Sequence, residues 1–204
     1  MQTWVVTGGA ASGKSSFTAM LQEVAPGQVA LYSSDQAVHA QYEKPEIRER
    51  LAEMFGNEML SETGGVNRAA LRKIVFNNDA ARRKLEDLLH PLAFEQLLTQ
   101  QKCLQQDGKT QLLIAEIPLF YETAREFPAD LVIVVAVSPA LQQQRMMEKR
   151  GLTSVEAARI LDAQLPLTRK LELAGKVVWN EGGLPLLRRQ AQLLLDQVIS
   201  QHAN

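Results

Sequence analysis

Residues 8–15 read G-G-A-A-S-G-K-S, which matches the pattern G-x-x-x-x-G-K-[ST]. Glycines let a backbone turn tightly, so that several N–H groups point at one anion, and the N-terminus of a following helix adds partial positive charge. Lys14 is predicted to reach the β- and γ-phosphates of a nucleoside triphosphate, and the Ser15 hydroxyl to ligate Mg²⁺. The predicted phosphate-binding residues are Gly9, Ala11, Ser12, Gly13, Lys14, Ser15 and Ser16.

Short apolar runs alternate with longer helical patterns along the chain. The predicted strands are residues 4–6, 29–32, 112–115, 131–137 and 177–179. Strands separated by helices predict an α/β fold with a mostly parallel sheet. The run 131–137 is apolar at every position, as a sheet covered by helices on both faces requires. We therefore expect a five-stranded, mostly parallel sheet that carries the phosphate loop after its first strand.

Composition narrows the classes of protein. The chain has 204 residues, of which 46% are hydrophobic, enough for a substantial core. A net charge of −1 argues against a general binder of nucleic acid, and no apolar run approaches the roughly 20 residues of a membrane span. Cys103 is the single cysteine, so no internal disulfide forms, and we assign it no role. No signal peptide is visible, and we expect a cytoplasmic protein.

Two stretches are predicted to be insertions in a core of residues 1–35, 108–145 and 168–204. Residues 36–107 are mostly helical in pattern and rich in charge, and residues 146–167 contain a break at Gly151. Thr153 and Glu156 have the spacing of a capping box that opens a new helix. This plan is typical of small-metabolite kinases, in which one insertion grips the acceptor and the other, a lid, closes over ATP.

Two carboxylates follow predicted strands. Asp35 follows the second strand, and ligands of parallel sheets gather at the carboxyl ends of strands. We expect Asp35 on the same edge as the phosphate loop; its alternative role is an N-cap of the following helix. Glu116 ends the third strand, where an acid can hold Mg²⁺ through water; its alternative role is an ordinary polar residue at a strand end.

Five blocks of the chain resemble the dephospho-coenzyme A kinase family. Residues 64–92, with R-A-A-L-R at 68–72 and H-P at 90–91, are similar to its acceptor-binding segment. The other blocks are the phosphate loop, P-L-F-Y-E at 118–122, the lid segment 151–164, and residues 170–180. The resemblance implies Mg²⁺-assisted transfer of the γ-phosphate of ATP to the 3′-hydroxyl of dephospho-CoA. The products are coenzyme A and ADP, in the last step of coenzyme A biosynthesis.

The resemblance also implies roles for individual residues. Asp35 is predicted to orient and deprotonate the 3′-hydroxyl, Arg68 to contact the acceptor, and the loop of Asn180 to lie near the adenine of ATP. His90 is either an acceptor contact or a cap for the last carbonyls of a helix that ends before Pro91. The partners implied are ATP and dephospho-CoA, with no nucleic acid or membrane, for a monomer or weak homo-oligomer.

A lid cation is expected over the transferring phosphoryl group, and three residues compete for that role: Arg145, Lys149 and Arg150. Lys149 stands where the family commonly has arginine, so it keeps the charge without the planar fork. Arg150 can supply the fork if the helix frays before Gly151. All three are catalytic or phosphate-binding candidates.

Two further departures concern acids. Ser33 replaces the first acid of an Asp-x-Asp pattern that ends at Asp35, and Gly175 replaces an Asp after Ala174. These departures keep open a kinase of another small hydroxylated metabolite, such as a nucleoside. A nucleotide-binding module without turnover is the second alternative, which the intact loop and Asp35 disfavour.

Overall fold

The computed structural model describes residues 1–61, 63–123 and 127–202 of the chain. The strands in chain order are β1 Gln2–Thr7, β2 Val29–Ser33, β3 Leu112–Glu116, β4 Leu131–Ala136 and β5 Lys176–Trp179. The helices are α1 Lys14–Val24, α2 Ser34–Gln41, α3 Pro45–Phe55, α4 Arg68–Asn77, α5 Asp79–Asp107, α6 Pro139–Arg150, α7 Ser154–Asp162, α8 Leu167–Leu173 and α9 Gly183–His202. The chain divides into two compact units, residues 1–32 with 103–204, and residues 33–102.

The strands form one sheet in the order β2-β3-β1-β4-β5. β1 pairs in parallel with β3 and with β4, and β4 pairs in parallel with β5. The predicted α/β fold and its five-stranded parallel sheet are confirmed. Because parallel neighbours end on the same side, the residues that follow β1, β3, β4 and β5 are brought to one edge of the sheet.

The central strands β3, β1 and β4 are largely buried, as their uninterrupted apolar runs predict, whereas the edge strand β5 is mostly exposed. All five residues of β3 are buried, and so are the last five of β1. On one face, Trp4, Ile114 and Val135 pack with Phe17 of α1 and Leu187 of α9 in a single apolar cluster. This packing fixes α1, and with it the loop between β1 and α1.

The capping box that opens α7 is present. Thr153 accepts a hydrogen bond from Glu156 N, and the Glu156 carboxylate accepts one from Thr153 N at 2.8 Å. No helix in the described part of the chain has the length and apolar character needed to cross a membrane.

The second unit is helical and has its own apolar core. Ile47, Leu51, Met59, Leu71 and Leu89 are buried together there. Its long helix, α5, runs through Pro91 without ending. The expectation that a helix ends before Pro91 is therefore wrong.

Proline deprives a helix of one N–H donor, but apolar residues continue at helical spacing on both sides of Pro91. Leu85, Leu88 and Leu89 precede it and Leu92 follows, all in the core of this unit. Burial of both halves outweighs the lost hydrogen bond.

Candidate active site

The phosphate loop connects the end of β1 to the start of α1. Gly13 caps α1 with a left-handed backbone (φ 94), and a Cβ there would lie 2.1 Å from Asn180 Nδ2, so only glycine fits. Ala11 also has a positive φ, 56, which costs a residue with a Cβ about 1–2 kcal/mol. The loop is thus held in a tight shape even though the Cβ of Ala11 disfavours the backbone conformation there.

Lys14 lies inside the loop. Its Nζ donates hydrogen bonds to Gly8 O at 3.0 Å and Gly9 O at 2.9 Å, and the residue is only 8% exposed. A lysine ammonium has three donors. The predicted phosphate-binding lysine therefore carries its positive charge into the concave side of the loop.

The Ser15 hydroxyl lies beside a buried carboxylate. Ser15 Oγ donates a 2.7 Å hydrogen bond to Glu116 Oε1, and Thr18 Oγ1 donates one of 2.9 Å to Oε2. Glu116 ends β3 and is buried, and the two hydroxyls lie three residues apart on one face of α1. The structure thus brings together Ser15 and Glu116, the two residues predicted to serve Mg²⁺.

Asn180 follows β5 and forms hydrogen bonds with both the phosphate loop and β4. Its Nδ2 donates to Ser12 O at 2.8 Å, and its backbone N donates to Ala136 O at 2.8 Å. Arg145 reaches the same place from α6, because its guanidinium donates to Asn180 O at 2.9 Å and to Ala11 O at 3.4 Å. Of the three predicted lid cations, Arg145 is the one held against the loop.

Lys149 and Arg150 lie in the last turn of α6 and are exposed. The condition under which Arg150 could supply the fork, fraying of the helix before Gly151, is not met, because α6 continues through Arg150 and ends on Gly151, whose φ is 65. Glycine takes this left-handed conformation at little cost, so it terminates the helix after a complete last turn.

A carboxylate stands close to Arg145. Glu181 accepts a 2.7 Å hydrogen bond from Ser138 N. Hydrogen bonds from Ser138 and Trp179, together with the charge of Arg145, hold the pKa of Glu181 below its ordinary value. Arg145 and Glu181 therefore attract each other electrostatically.

Asp35 lies in the first turn of α2, and its side chain is exposed. The alternative that Asp35 is the N-cap is wrong: Ser33 has that position, and its Oγ accepts from Gln36 N at 3.4 Å. A serine with extended backbone one residue before the helix suits the cap better. Within the described part of the chain, the Asp35 carboxylate makes no hydrogen bond or ion pair.

Arg68, the first residue of α4, lies beside the C-terminal end of α2. Its guanidinium is 5.7 Å from the centre of the Tyr42 ring and 3.5 Å from the Glu43 carboxylate. Burial raises the pKa of Tyr42, and the charge of Arg68 partly opposes that rise. The ion pair with Glu43 is exposed and therefore weak, so an anionic ligand can displace it.

His90 lies within α5, half-buried, between the buried Leu89 and Pro91. It is far from either end of that helix, so the alternative that it caps terminal carbonyls is wrong. Contact with the acceptor stays a prediction.

The sequence analysis did not predict site roles for four side chains: Gln142, Gln164, Lys170 and Glu122. Gln142 and Gln164 hydrogen-bond the Ala10 backbone, and buried Lys170 forms an ion pair with Glu122 at 2.8 Å. Gln142 lies three residues before Arg145 on α6, a spacing that places both on one face. All three contacts join residues far apart in the sequence, which no local pattern signals.

The glycine at position 175 also has a structural reason. Its N–H donates to Val132 O at 2.9 Å, and a Cβ there would lie 2.9 Å from Leu131 Cδ1. The turn before β5 approaches β4 too closely for a larger residue unless Leu131 shifts.

Known proteins resemble the chain over almost its whole length. A family model described as dephospho-CoA kinase matches residues 3–185. A dephospho-CoA kinase of Geobacillus kaustophilus (strain HTA426) is 35% identical over 193 residues, 94% of each protein. The crystal structure of TT1252 from Thermus thermophilus covers 96% of this chain and 97% of its own, with a TM-score of 0.80 and 26% identity. A dephospho-CoA kinase structure from Campylobacter jejuni covers 97% of both chains, with a TM-score of 0.64 and 25% identity. The chain belongs to the dephospho-CoA kinase family.

Proposed function

We propose that this protein transfers the γ-phosphate of ATP to the 3′-hydroxyl of dephospho-CoA, giving coenzyme A and ADP. The observation that carries the proposal is the loop: in a chain of this family, Lys14, Ser15 and Glu116 converge at the N-terminus of α1. That arrangement supports binding of a nucleoside triphosphate with its metal ion.

The triphosphate is held by the backbone N–H groups of residues 11–16 and by Lys14. The loop residues proposed to bind phosphate also include Gly9, Ser12, Gly13 and Ser16. Asn180 maintains the shape of the loop through its 2.8 Å hydrogen bond to Ser12 O. The N-terminus of α1 adds partial positive charge beneath the phosphates. Catalysis of phosphoryl transfer is mostly positioning and neutralisation of charge, which is what such a cradle supplies.

Mg²⁺ fits the residues around Ser15. The ion prefers oxygen ligands and takes most of them from substrate phosphates and water, with one or two from protein. Ser15 Oγ is an available hydroxyl oxygen, and Glu116 lies 2.7 Å from it, where it can hold metal-bound water. When bound, Mg²⁺ neutralises negative charge on the β- and γ-phosphate oxygens. The described residues contain no cluster of three or more His, Cys, Asp or Glu that could hold a metal ion.

Asp35 is proposed as the group that orients the acceptor. The 3′-oxygen forms a bond to the γ-phosphorus as the bond from that phosphorus to the bridging oxygen of ADP breaks. The hydroxyl proton passes to the Asp35 carboxylate. Support comes from its exposed position in the first turn of α2 and from the absence of a protein partner for it within the described residues.

Arg68 and His90 are proposed to contact dephospho-CoA, whose pyrophosphate calls for a cation. Arg68 suits this because its only described ion pair is an exposed one with Glu43. Over the transferring phosphoryl group, Arg145 is the cation that the contacts with Ala11 and Asn180 favour. Lys149 and Arg150 are exposed at the end of the same helix and can join it when the lid, residues 146–167, closes.

The proposal is tested by ADP release in Mg-ATP with four acceptors: dephospho-CoA, adenosine, uridine and pantothenate. We expect stimulation by dephospho-CoA far above that by the others. Equal or greater stimulation by a nucleoside would overturn the acceptor assignment, and tight ATP binding without turnover on any acceptor would favour a non-catalytic module.

The role of Asp35 has its own test. Asp35→Asn keeps the size of the side chain but removes the proton acceptor, so we expect kcat to fall by about 100-fold or more while ATP affinity stays the same. Asp79→Asn, at another exposed acid that opens a helix of the same unit, is the matched control and should leave kcat unchanged. An unchanged kcat in the Asp35 variant would remove Asp35 from this role.

A further inference from the structure

The peptide groups on either side of Ala10 are both held by glutamine side chains. Ala10 N donates a 3.0 Å hydrogen bond to Gln164 Oε1, and Ala10 O accepts a 2.8 Å hydrogen bond from Gln142 Nε2. Ala10 itself is buried in a small apolar cluster with Met146 of α6 and Ala157 of α7. One residue of the phosphate loop is therefore fixed by polar and apolar contacts at once.

The Gln142 contact determines the direction of a neighbouring N–H group. Ala10 O and Ala11 N belong to one planar trans peptide, so the Ala11 N–H points away from that carbonyl. Ala11 is the first of the residues proposed to hold the triphosphate. By holding Ala10 O, Gln142 thus sets where the first phosphate-binding N–H points.

Gln142 also lies against the loop backbone at Gly9. It is 5% exposed, and a Cβ at Gly9 would lie 2.1 Å from its Nε2. The side chain therefore packs directly against the loop backbone. Its Nε2 donates to Ala10 O, which gives this buried amide a hydrogen-bond partner.

Gln164 acts on the preceding peptide. The carbonyl oxygen of that same peptide group is Gly9 O. It accepts hydrogen bonds from Ser12 N at 3.2 Å and from Lys14 Nζ at 2.9 Å. Gln164 comes shortly after α7, and the next residue, Leu165, donates its N–H to Glu122 at 2.9 Å. Two adjacent residues just after α7 thus form hydrogen bonds: Leu165 bonds Glu122, and Gln164 bonds the phosphate loop.

We propose that Gln142 and Gln164 are positioning residues that hold the Ala10 peptides, and through them the phosphate loop, in the shape that receives the triphosphate. The inference rests on the proposed function only in that residues 11–16 bind ATP. Neither glutamine touches the reacting atoms. Both act by restricting the orientation of loop peptides before the nucleotide arrives, which lowers the ordering cost of binding.

The experiment measures ATP affinity by isothermal titration calorimetry with Mg-ATP and no acceptor. Gln164→Met and Gln142→Met keep side-chain length but remove the hydrogen bond, so each should weaken ATP about five- to tenfold, the value of one hydrogen bond. Gln144→Met is the matched control: this exposed residue of α6 hydrogen-bonds Glu148 of the same helix, and its replacement should leave ATP affinity unchanged. Gln164 is half-buried, so its variant serves even if the buried Gln142 variant fails to fold.

Steady-state kinetics separates positioning from general damage. We expect the KM for ATP to rise about five- to tenfold, with the KM for dephospho-CoA and kcat at saturating ATP changed less than about twofold. Unchanged ATP affinity in folded Gln164→Met, or loss of kcat alone, would overturn the inference while leaving the proposed function standing. Failure of the unmodified protein to bind Mg-ATP would overturn both.

Discussion

Among the described residues of the first unit, Lys170 is the most deeply buried charged side chain, and the structure allows the effect of its replacement on stability to be estimated. The residue is 1% exposed, and its Nζ lies 2.8 Å from Glu122 Oε1. That carboxylate oxygen also accepts the Leu165 N–H at 2.9 Å. Within the described part of the chain, Glu122 Oε2 has no hydrogen-bond partner, so the carboxylate depends on Lys170 for compensation of its charge.

Lys170→Met keeps the volume of the aliphatic stem and leaves Glu122 as an uncompensated charge. Breaking a buried ion pair in this way costs about 3–5 kcal/mol, and the 18% exposure of the Glu122 side chain places the expected loss near the lower limit, about 3 kcal/mol. For a chain of this size that corresponds to a fall in Tm of roughly 6–12 °C.

The double variant Lys170→Met with Glu122→Gln removes the charge as well. Glutamine still offers an oxygen to the Leu165 N–H, so we expect about 2 kcal/mol of the loss to be recovered. Arg169→Met is the matched control. Arg169 pairs with Glu172 on the surface of the same helix, and its loss should cost less than about 1 kcal/mol.

The assay is urea unfolding at pH 7, followed by circular dichroism and by tryptophan fluorescence, because the chain has two compact units and a common transition must be demonstrated. A free energy of unfolding of Lys170→Met within about 1 kcal/mol of that of the unmodified protein would contradict the prediction. A double variant no more stable than Lys170→Met alone would contradict it as well.

Three further predictions concern Asn180, Ala11 and Ser33. Asn180→Ala leaves the buried Ser12 O without its donor and should lower the free energy of unfolding by about 1–3 kcal/mol in urea; a change below 0.5 kcal/mol would contradict the contact. Ala11→Gly should be neutral or stabilising by up to about 1 kcal/mol, because it removes the Cβ strained at φ 56 while glycine loses more backbone freedom on folding, whereas the β-branched Ala11→Val should be destabilising; equal effects would mean that no strain exists there. Ser33→Asp should leave stability within about 0.5 kcal/mol, since Asp caps the Gln36 N–H equally well.

Local patterns in the sequence predicted what depends on neighbouring residues. The phosphate loop, the strands and the capping box at Thr153 are all set within a few positions, by glycine placement, continuous apolar runs and a four-residue spacing. These features could be predicted because their energetics are local. The convergence of Ser15 with Glu116 followed from the rule that parallel strands end at one edge.

Features that depend on distant contacts could not be predicted in the same way. The path of α5 through Pro91 depends on a core that the sequence does not display, and the local rule for proline gave the wrong answer. Gln164 is 154 residues from Ala10, and Lys170 is 48 from Glu122 along the chain. Their partners were decided by tertiary packing.

The central claim is the identity of the phosphorylated product. Purified protein incubated with Mg-ATP and dephospho-CoA should yield a compound whose phosphorus NMR spectrum and retention match authentic coenzyme A, with the new phosphate on the 3′-oxygen and one ADP formed for each. Absence of coenzyme A while ADP accumulates, or a phosphate on any other oxygen, would contradict the account.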